Sequence, residues 1–247
     1  MSILITGGSK GLGRAVALRF AAHGAEVFIN YSSDTAAAEQ TASEVADAGG
    51  IPYLVQADLG TIEGAHAAVD AVTSVTDRLD QVVHCAVNPS VRGPVLEMDP
   101  AAFMAAMQCN GSSLIPLVQC ALPLMTRGSS VTFVTSRGAE VVVPGYAAVG
   151  VPKAAAEVLM KYLAVELAPL GIRANTVSAA TLDTSALRAV LSDEEAEARL
   201  TRAAELNPSG RRVELAEVVD AIEFLCSDRA VMIQGQRLSV DGGFYLR

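Results

Sequence analysis

Short apolar runs alternate with amphipathic stretches from one end of the chain to the other, and this rhythm restricts the fold more than any other feature. Strand-like runs fall at 2–6, 26–31, 52–57, 81–86, 130–135, 173–178 and 237–240. Helical patterns fall between them, at 13–23, 35–48, 62–76, 101–124, 153–168 and 215–227. A repeated β–α order with near-continuous apolar strands predicts a parallel sheet covered by helices on both faces. The chain has 247 residues, 51% of them apolar, enough for one large core. No linker, repeat or low-complexity tract marks a second domain, so 1–247 reads as a single domain. Only 182–212 breaks the rhythm. It is longer, charged and helical in pattern, and insertions at the carboxyl edge of such a sheet cover ligands, so a lid is expected there.

The first run leads into Thr6-Gly7-Gly8-Ser9-Lys10-Gly11-Leu12-Gly13, and a helical pattern follows. Glycines let the backbone turn sharply and approach a pyrophosphate, while a helix N-terminus offers unpaired N–H groups and a positive dipole end. A strand–turn–helix of this kind predicts a doubly wound α/β Rossmann fold, seven-stranded and parallel, that binds a nicotinamide dinucleotide.

Composition excludes other classes. A net charge of −9 argues against nucleic acid and against anionic membrane surfaces. The apolar stretch at 141–152 is short, broken by Pro and Gly and stopped by Lys153, too short to span a bilayer. Cys85, Cys109, Cys120 and Cys226 are scattered, without the close pairs that ligate metal. Reduced thiols and an opening apolar run with no basic leader predict a cytoplasmic protein that uses no metal.

The spacing Thr-Gly-x-x-x-Gly-x-Gly resembles that of the short-chain dehydrogenase/reductase family, and further stations agree in order: Asp58 in Ala-Asp-Leu, Asn110, Ser136, Asn175-Thr176-Val177-Ser178, Thr184, Gln234-Gly235 and Val240-Asp241-Gly242-Gly243. The resemblance implies cofactor contacts from Gly7, Ser9, Lys10, Gly11, Leu12 and Gly13 of the turn and from Tyr31 and Ser32 after the second strand. It adds Asp58, against the adenine, with Leu59, and Ala86, Lys153 and Thr184 near the nicotinamide end. Asn110 would hold a water near the lysine. At the end of the second strand, Asn30-Tyr31-Ser32-Ser33 carries no carboxylate for a ribose 2′-hydroxyl, with Asp34 farther on, and Lys10 resembles the basic residue of NADP-dependent relatives. NADPH is expected rather than NADH.

The candidate catalytic set is Tyr146, Lys153, Ser136 and Asn110. Ordinary members of the family carry Tyr-x-x-x-Lys with a Ser thirteen residues before the Tyr, yet both counts land on Val149. Tyr146 instead gives Tyr-x6-Lys with Lys153, a spacing that resembles the enoyl-acyl-carrier-protein reductases, the type III branch above all. In an enoyl thioester the hydride goes to C3 while charge develops on the thioester oxygen at C1, so the acid must stand farther from the nicotinamide than in a ketone reductase. Pro152 predicts that a helix begins close by, with Tyr146 on the preceding loop and Lys153 in the first turn. Departures are His84-Cys85-Ala86-Val87 for the family's Asn-Asn-Ala-Gly, Ala179-Ala180 for Pro-Gly, and Val142 where enoyl reductases often have a second tyrosine. His84 reads as a strand-end polar residue rather than a base.

The expected function is NADPH-dependent reduction of an enoyl thioester, in fatty-acid or polyketide-type chemistry. A carbonyl reductase and a catalytically inactive dinucleotide-binding protein stay open beside it. The resemblance also implies a homotetramer, and the long apolar helices at 101–124 and 153–168 agree with one. Arg188, Arg199, Arg202, Arg211 and Arg212 in the lid region offer a docking patch for an acidic acyl carrier protein. The alternative is that they pair with Asp193, Glu194, Glu195 and Glu197.

Overall fold

Successive side chains of a strand point to opposite faces of its sheet, and here both faces are apolar. In the computed structural model, which describes residues 1–246, β1 (Ser2–Thr6), β2 (Glu26–Tyr31), β3 (Ile51–Gln56), β4 (Gln81–His84), β5 (Ser130–Ser136), β6 (Arg173–Ala179) and β7 (Arg237–Val240) form a parallel sheet in the order β3-β2-β1-β4-β5-β6-β7. The helices are α1 (Gly11–Ala21), α2 (Thr35–Asp47), α3 (Ile62–Thr73), α4 (Pro100–Met107), α5 (Leu114–Ala121), α6 (Ala147–Leu167), α7 (Ser185–Arg188), α8 (Asp193–Leu206) and α9 (Leu215–Cys226). Leu4, Phe28, Val82, Val131 and Phe133 pack into the layer of α3, α5 and α6. Ile3, Ile5, Val27, Ile29 and Val83 pack into the opposite layer, with α1 and α9. The doubly wound Rossmann fold expected from the alternation is the observed one.

Strand order reverses between β1 and β4, and the crevice at that reversal, on the carboxyl edge, holds the site. Buried Asn30 fastens the edge. Its carbonyl accepts the Gly8 N–H (2.8 Å), and its amide donates to the carbonyls of Val55 (3.2 Å) and Ala57 (3.0 Å). These bonds tie the glycine turn, β2 and the end of β3 together.

Two helix expectations need correction. The 101–124 pattern is helical but not regular: α4 and α5 are joined through a wide, π-helical turn, Gln108–Ser112, where Ser113 N–H reaches back to Gln108 O (2.8 Å). Gly111 permits it, because a Cβ there would lie 2.6 Å from Pro152 O. The second concerns α6, which begins at Ala147 rather than at 153, so Pro152 and Lys153 lie beyond the first turn. A proline inside a helix deprives the carbonyl four residues earlier of its partner. That carbonyl belongs to Ala148, and Asn110 Nδ2 donates to it at 3.0 Å. The wide turn therefore places the side chain that makes Pro152 tolerable.

Candidate active site

The crevice is a cleft of about 500 Å³ lined by the glycine turn, the ends of β2 and β5, the start of α6 and the 179–190 segment. Its first half fits a dinucleotide. Gly7 has φ +62°, and a Cβ on Gly13 would lie 2.2 Å from Gly7 O, so the turn can close only around glycines. No side chain caps α1 and no acidic residue lies in its first turn, which leaves its positive end for an anion. Gly7, Ser9, Lys10, Gly11, Leu12, Gly13, Tyr31 and Ser32 line this half, with Thr184 facing Gly11. Lys10 forms an ion pair with Asp34, which also caps α2 by accepting the Ala37 N–H (3.0 Å). These are the shape and donor set that a nicotinamide dinucleotide requires.

The other half is made by side chains. Tyr146 is the N-cap residue of α6, and its ring lies over Gly138, where a Cβ would be 2.6 Å from the ring. Among the described residues its hydroxyl has no hydrogen-bond partner. Ser136 closes β5 beside it and accepts the Gly138 N–H (3.3 Å). Lys153 is 4% exposed, donates to Val134 O at 2.7 Å and lies 4.5 Å from the Phe133 ring centroid. Burial pushes its ammonium down to about 8, against the opposing fields of Cys85, Cys109 and Glu157. At 3.6 residues per turn, positions four and seven residues before Lys153 share its face of the helix. The Tyr146 position stands about 4.5 Å farther along the axis than the Val149 position. Val149 is 1% exposed and lines no part of the cleft.

Residues 7–245 match the family described as enoyl-(acyl carrier protein) reductase. The chain is a short-chain dehydrogenase/reductase. It is 35% identical to 1-cyclohexenylcarbonyl-CoA reductase of Streptomyces collinus, over 97% of this chain and 85% of that one. It is 30% identical to the NADH-named enoyl-acyl-carrier-protein reductase of Aquifex aeolicus, over 98% and 90%. Among solved structures, an angucycline C-6 ketoreductase with bound NADP superimposes with a TM-score of 0.90 at 28% identity, covering 100% of this chain and 96% of that one. This short-chain reductase is therefore an oxidoreductase, and its family implies a nicotinamide dinucleotide as cofactor.

Where members of the family carry Asn-Asn-Ala-Gly, this reductase holds a closed polar chain. His84 ends β4 fully buried, and burial pushes its imidazole down to about 3, so the ring is neutral. Ser113 Oγ donates to Cys109 O (3.0 Å) and must therefore accept from His84 Nε2 (3.1 Å). Nδ1 is then an acceptor for the Thr6 hydroxyl, which itself accepts the Ala86 N–H (3.2 Å). Every group is used, and His84 is a strand-end clamp with no proton to offer the cleft. Burial pushes the neighbouring Cys85 thiol up to about 12, which makes it inert.

Four expected contacts lie away from the main cleft. Asp58 is exposed beyond β3, with Oδ1 accepting the Gly60 N–H (2.9 Å), and Leu59 is buried in the core. Ala86 packs under Gly7. Asn110 is fully buried, its Oδ1 accepting the Asn88 N–H (2.7 Å) while Nδ2 holds Asn88 O and Ala148 O. Its side chain is committed to structure.

The 182–212 segment folds as α7 and α8 and borders the cleft. Four of its five arginines are ion-paired: Arg188 with Asp183 and Asp193, Arg202 with Glu205, Arg211 with Glu217 and Arg212 with Glu197. Arg199 is different, because it lines the cleft together with Arg92 and Arg137. Sequence reading missed Arg92 and Arg137, which stand in no motif.

Proposed function

We propose that this reductase saturates the C2–C3 double bond of an enoyl thioester carried on coenzyme A or an acyl carrier, using NADPH. The observation that carries the reading is the placement of Tyr146. It faces the cleft from the N-cap of α6, about one turn farther from Lys153 than the buried Val149 position that a ketone reductase would use. The enoyl and cyclohexenylcarbonyl reductases among its relatives support the same chemistry.

When bound, the reduced nicotinamide supplies a hydride for C3. The free Tyr146 hydroxyl is placed to donate to the thioester oxygen as enolate charge develops there, and C2 of the enolate then takes a proton from solvent water. Lys153, cationic below pH 8, stabilises that charge and is placed to hold the nicotinamide ribose. Ser136, beside Tyr146, narrows the substrate's approach.

NADPH is favoured over NADH because Lys10 lines the cradle, while the nearby carboxylate, Asp34, is taken up by pairing with Lys10 and by capping α2. A homotetramer fits the apolar stripe left exposed on α6 by Val151, Val158, Tyr162 and Val165. Ketone reduction by the same Tyr146 is the second reading, favoured by the likeness to the angucycline ketoreductase.

The test is competition between crotonyl and acetoacetyl thioesters for NADPH. Preferred formation of the butyryl product supports enoyl reduction. Preferred formation of the 3-hydroxybutyryl product supports the second reading, and no NADPH oxidation with either removes both.

A further inference from the structure

The substrate half of the cleft carries a concentration of positive charge that enoyl reduction does not require. Arg92, Arg137 and Arg199 reach it from three separate segments. Two contacts bring Arg92 to the acid. The Gly93 N–H bonds Gly145 O (3.3 Å), immediately before Tyr146, and Arg92 Nη1 donates to Val190 O (3.1 Å), which ties this loop to the turn between α7 and α8. Arg199 comes from the inward face of α8, the face whose neighbouring positions Ala196 and Leu200 are buried. Arg137 stacks at 4.4 Å over the Phe244 ring.

Among the described residues, neither Arg92 nor Arg199 has a carboxylate within ion-pairing distance, although the other lid arginines all do. Glu195, which feels the field of Arg92, is committed to capping α8 through Ser192. Burial and the fields of Arg92 and Arg137 push the Arg199 guanidinium below its ordinary value, opposed by Tyr146. A half-buried Arg199 that faces like charge with no carboxylate in pairing distance is unfavourable, and an anion arriving between it and Arg92 relieves the repulsion and the desolvation together.

We infer that Arg199 and Arg92 bind a carboxylate on the acyl group of the substrate, so that the preferred acceptor is an acidic enoyl thioester rather than a plain aliphatic one. This rests on the enoyl-reductase reading. An acyl carboxylate fits better than the phosphate of a pantetheine arm, because that phosphate lies at the far end of the arm while the arginines surround the acid at the reacting end. Planar carboxylate and guanidinium groups pair through two parallel hydrogen bonds, which fixes the acyl chain in one orientation as well as binding it.

The experiment uses N-acetylcysteamine thioesters, which carry no phosphate, with coenzyme A thioesters as a second arm. For the NADPH-loaded enzyme, the ratio of kcat/KM for glutaconyl over crotonyl N-acetylcysteamine should exceed about tenfold, the scale of a charge-assisted pair. Arg199→Leu should bring that ratio close to one. Arg202→Leu, on the outward face of α8 and paired with Glu205, should leave it as it was. A ratio near one in the unaltered enzyme overturns the inference. So does an Arg199→Leu defect confined to coenzyme A thioesters, which would assign the arginines to phosphate. Binding of the inert glutaryl and pentanoyl N-acetylcysteamine thioesters, followed by NADPH fluorescence, reads the same preference without catalysis. Tighter glutaryl binding that Arg199→Leu abolishes upholds the anion site even if no double bond is reduced, and that outcome would retire the enoyl-reductase reading alone. Equal binding of the two overturns the anion site.

Discussion

The two halves of the cleft are built from different materials. The dinucleotide half is backbone: a turn closed by Gly7 and Gly13, an uncapped helix end, and Asn30 fastening three segments together. The other half is side chain: Tyr146 over Gly138, Lys153 under the sheet edge, and arginines brought in by loops and by α8. A backbone site tolerates almost no substitution and leaves a fixed signature in sequence. A side-chain site can be retuned residue by residue, which is how one fold hosts relatives named for enoyl and for ketone reduction.

If that contrast is right, the largest effect belongs to the backbone half. Gly13→Ala drives a Cβ against Gly7 O, so the turn must open, and NADPH binding followed by fluorescence should be lost while the fold, read by circular dichroism, remains. Retained affinity would show that the turn has slack.

Asn110 tests how the wide turn supports α6. Asn110→Leu leaves Ala148 O and the Asn88 backbone without partners, and should cost about 2–4 kcal/mol of stability in urea unfolding. Adding Pro152→Ala returns an N–H to Ala148 O, so the double variant should recover part of that loss. Strict additivity would mean that the amide does not compensate the proline.

A smaller effect is expected at Lys10. Lys10→Glu should cut the preference for NADPH over NADH by roughly tenfold or more, the scale of a charge-assisted contact, and an NADH preference in the unaltered enzyme would contradict the proposed cofactor.

The smallest effect is a titration. Lys153 loses its proton near pH 8 in the folded protein, below its ordinary value, so its charge is present below that pH and lost above it. kcat/KM should decline on the alkaline side from about pH 8. Stability should move the other way. Between about pH 8 and the ordinary lysine value the unfolded chain holds the proton that the folded one has released, so this group's contribution to stability rises with pH.

The fold was legible because burial on both faces of a parallel sheet forces continuous apolar runs, and because a pyrophosphate turn demands glycine where no Cβ fits. The start of α6 was misread for a physical reason. Pro152 signals a helix start when its neighbours are unknown, and only the distant Asn110, presented by a wide turn that periodicity does not reveal, makes it an interior residue. The place of Tyr146 on the cleft was legible as a spacing. Arg92 and Arg137 were not, since a lone arginine in a loop or in a single 3-10 turn carries no period. Arg199 could have been singled out from the lid arginines by its place on the apolar face of α8, beside Ala196 and Leu200.

On the proposed mechanism Tyr146, and no residue at the Val149 position, supplies the hydrogen bond to the reacting thioester. Single-turnover oxidation of NADPH by Tyr146→Phe with crotonyl thioester tests it most directly. The expected result is a rate lowered by about 10²–10⁴-fold with NADPH affinity essentially unchanged, and an unimpaired rate would contradict the assignment.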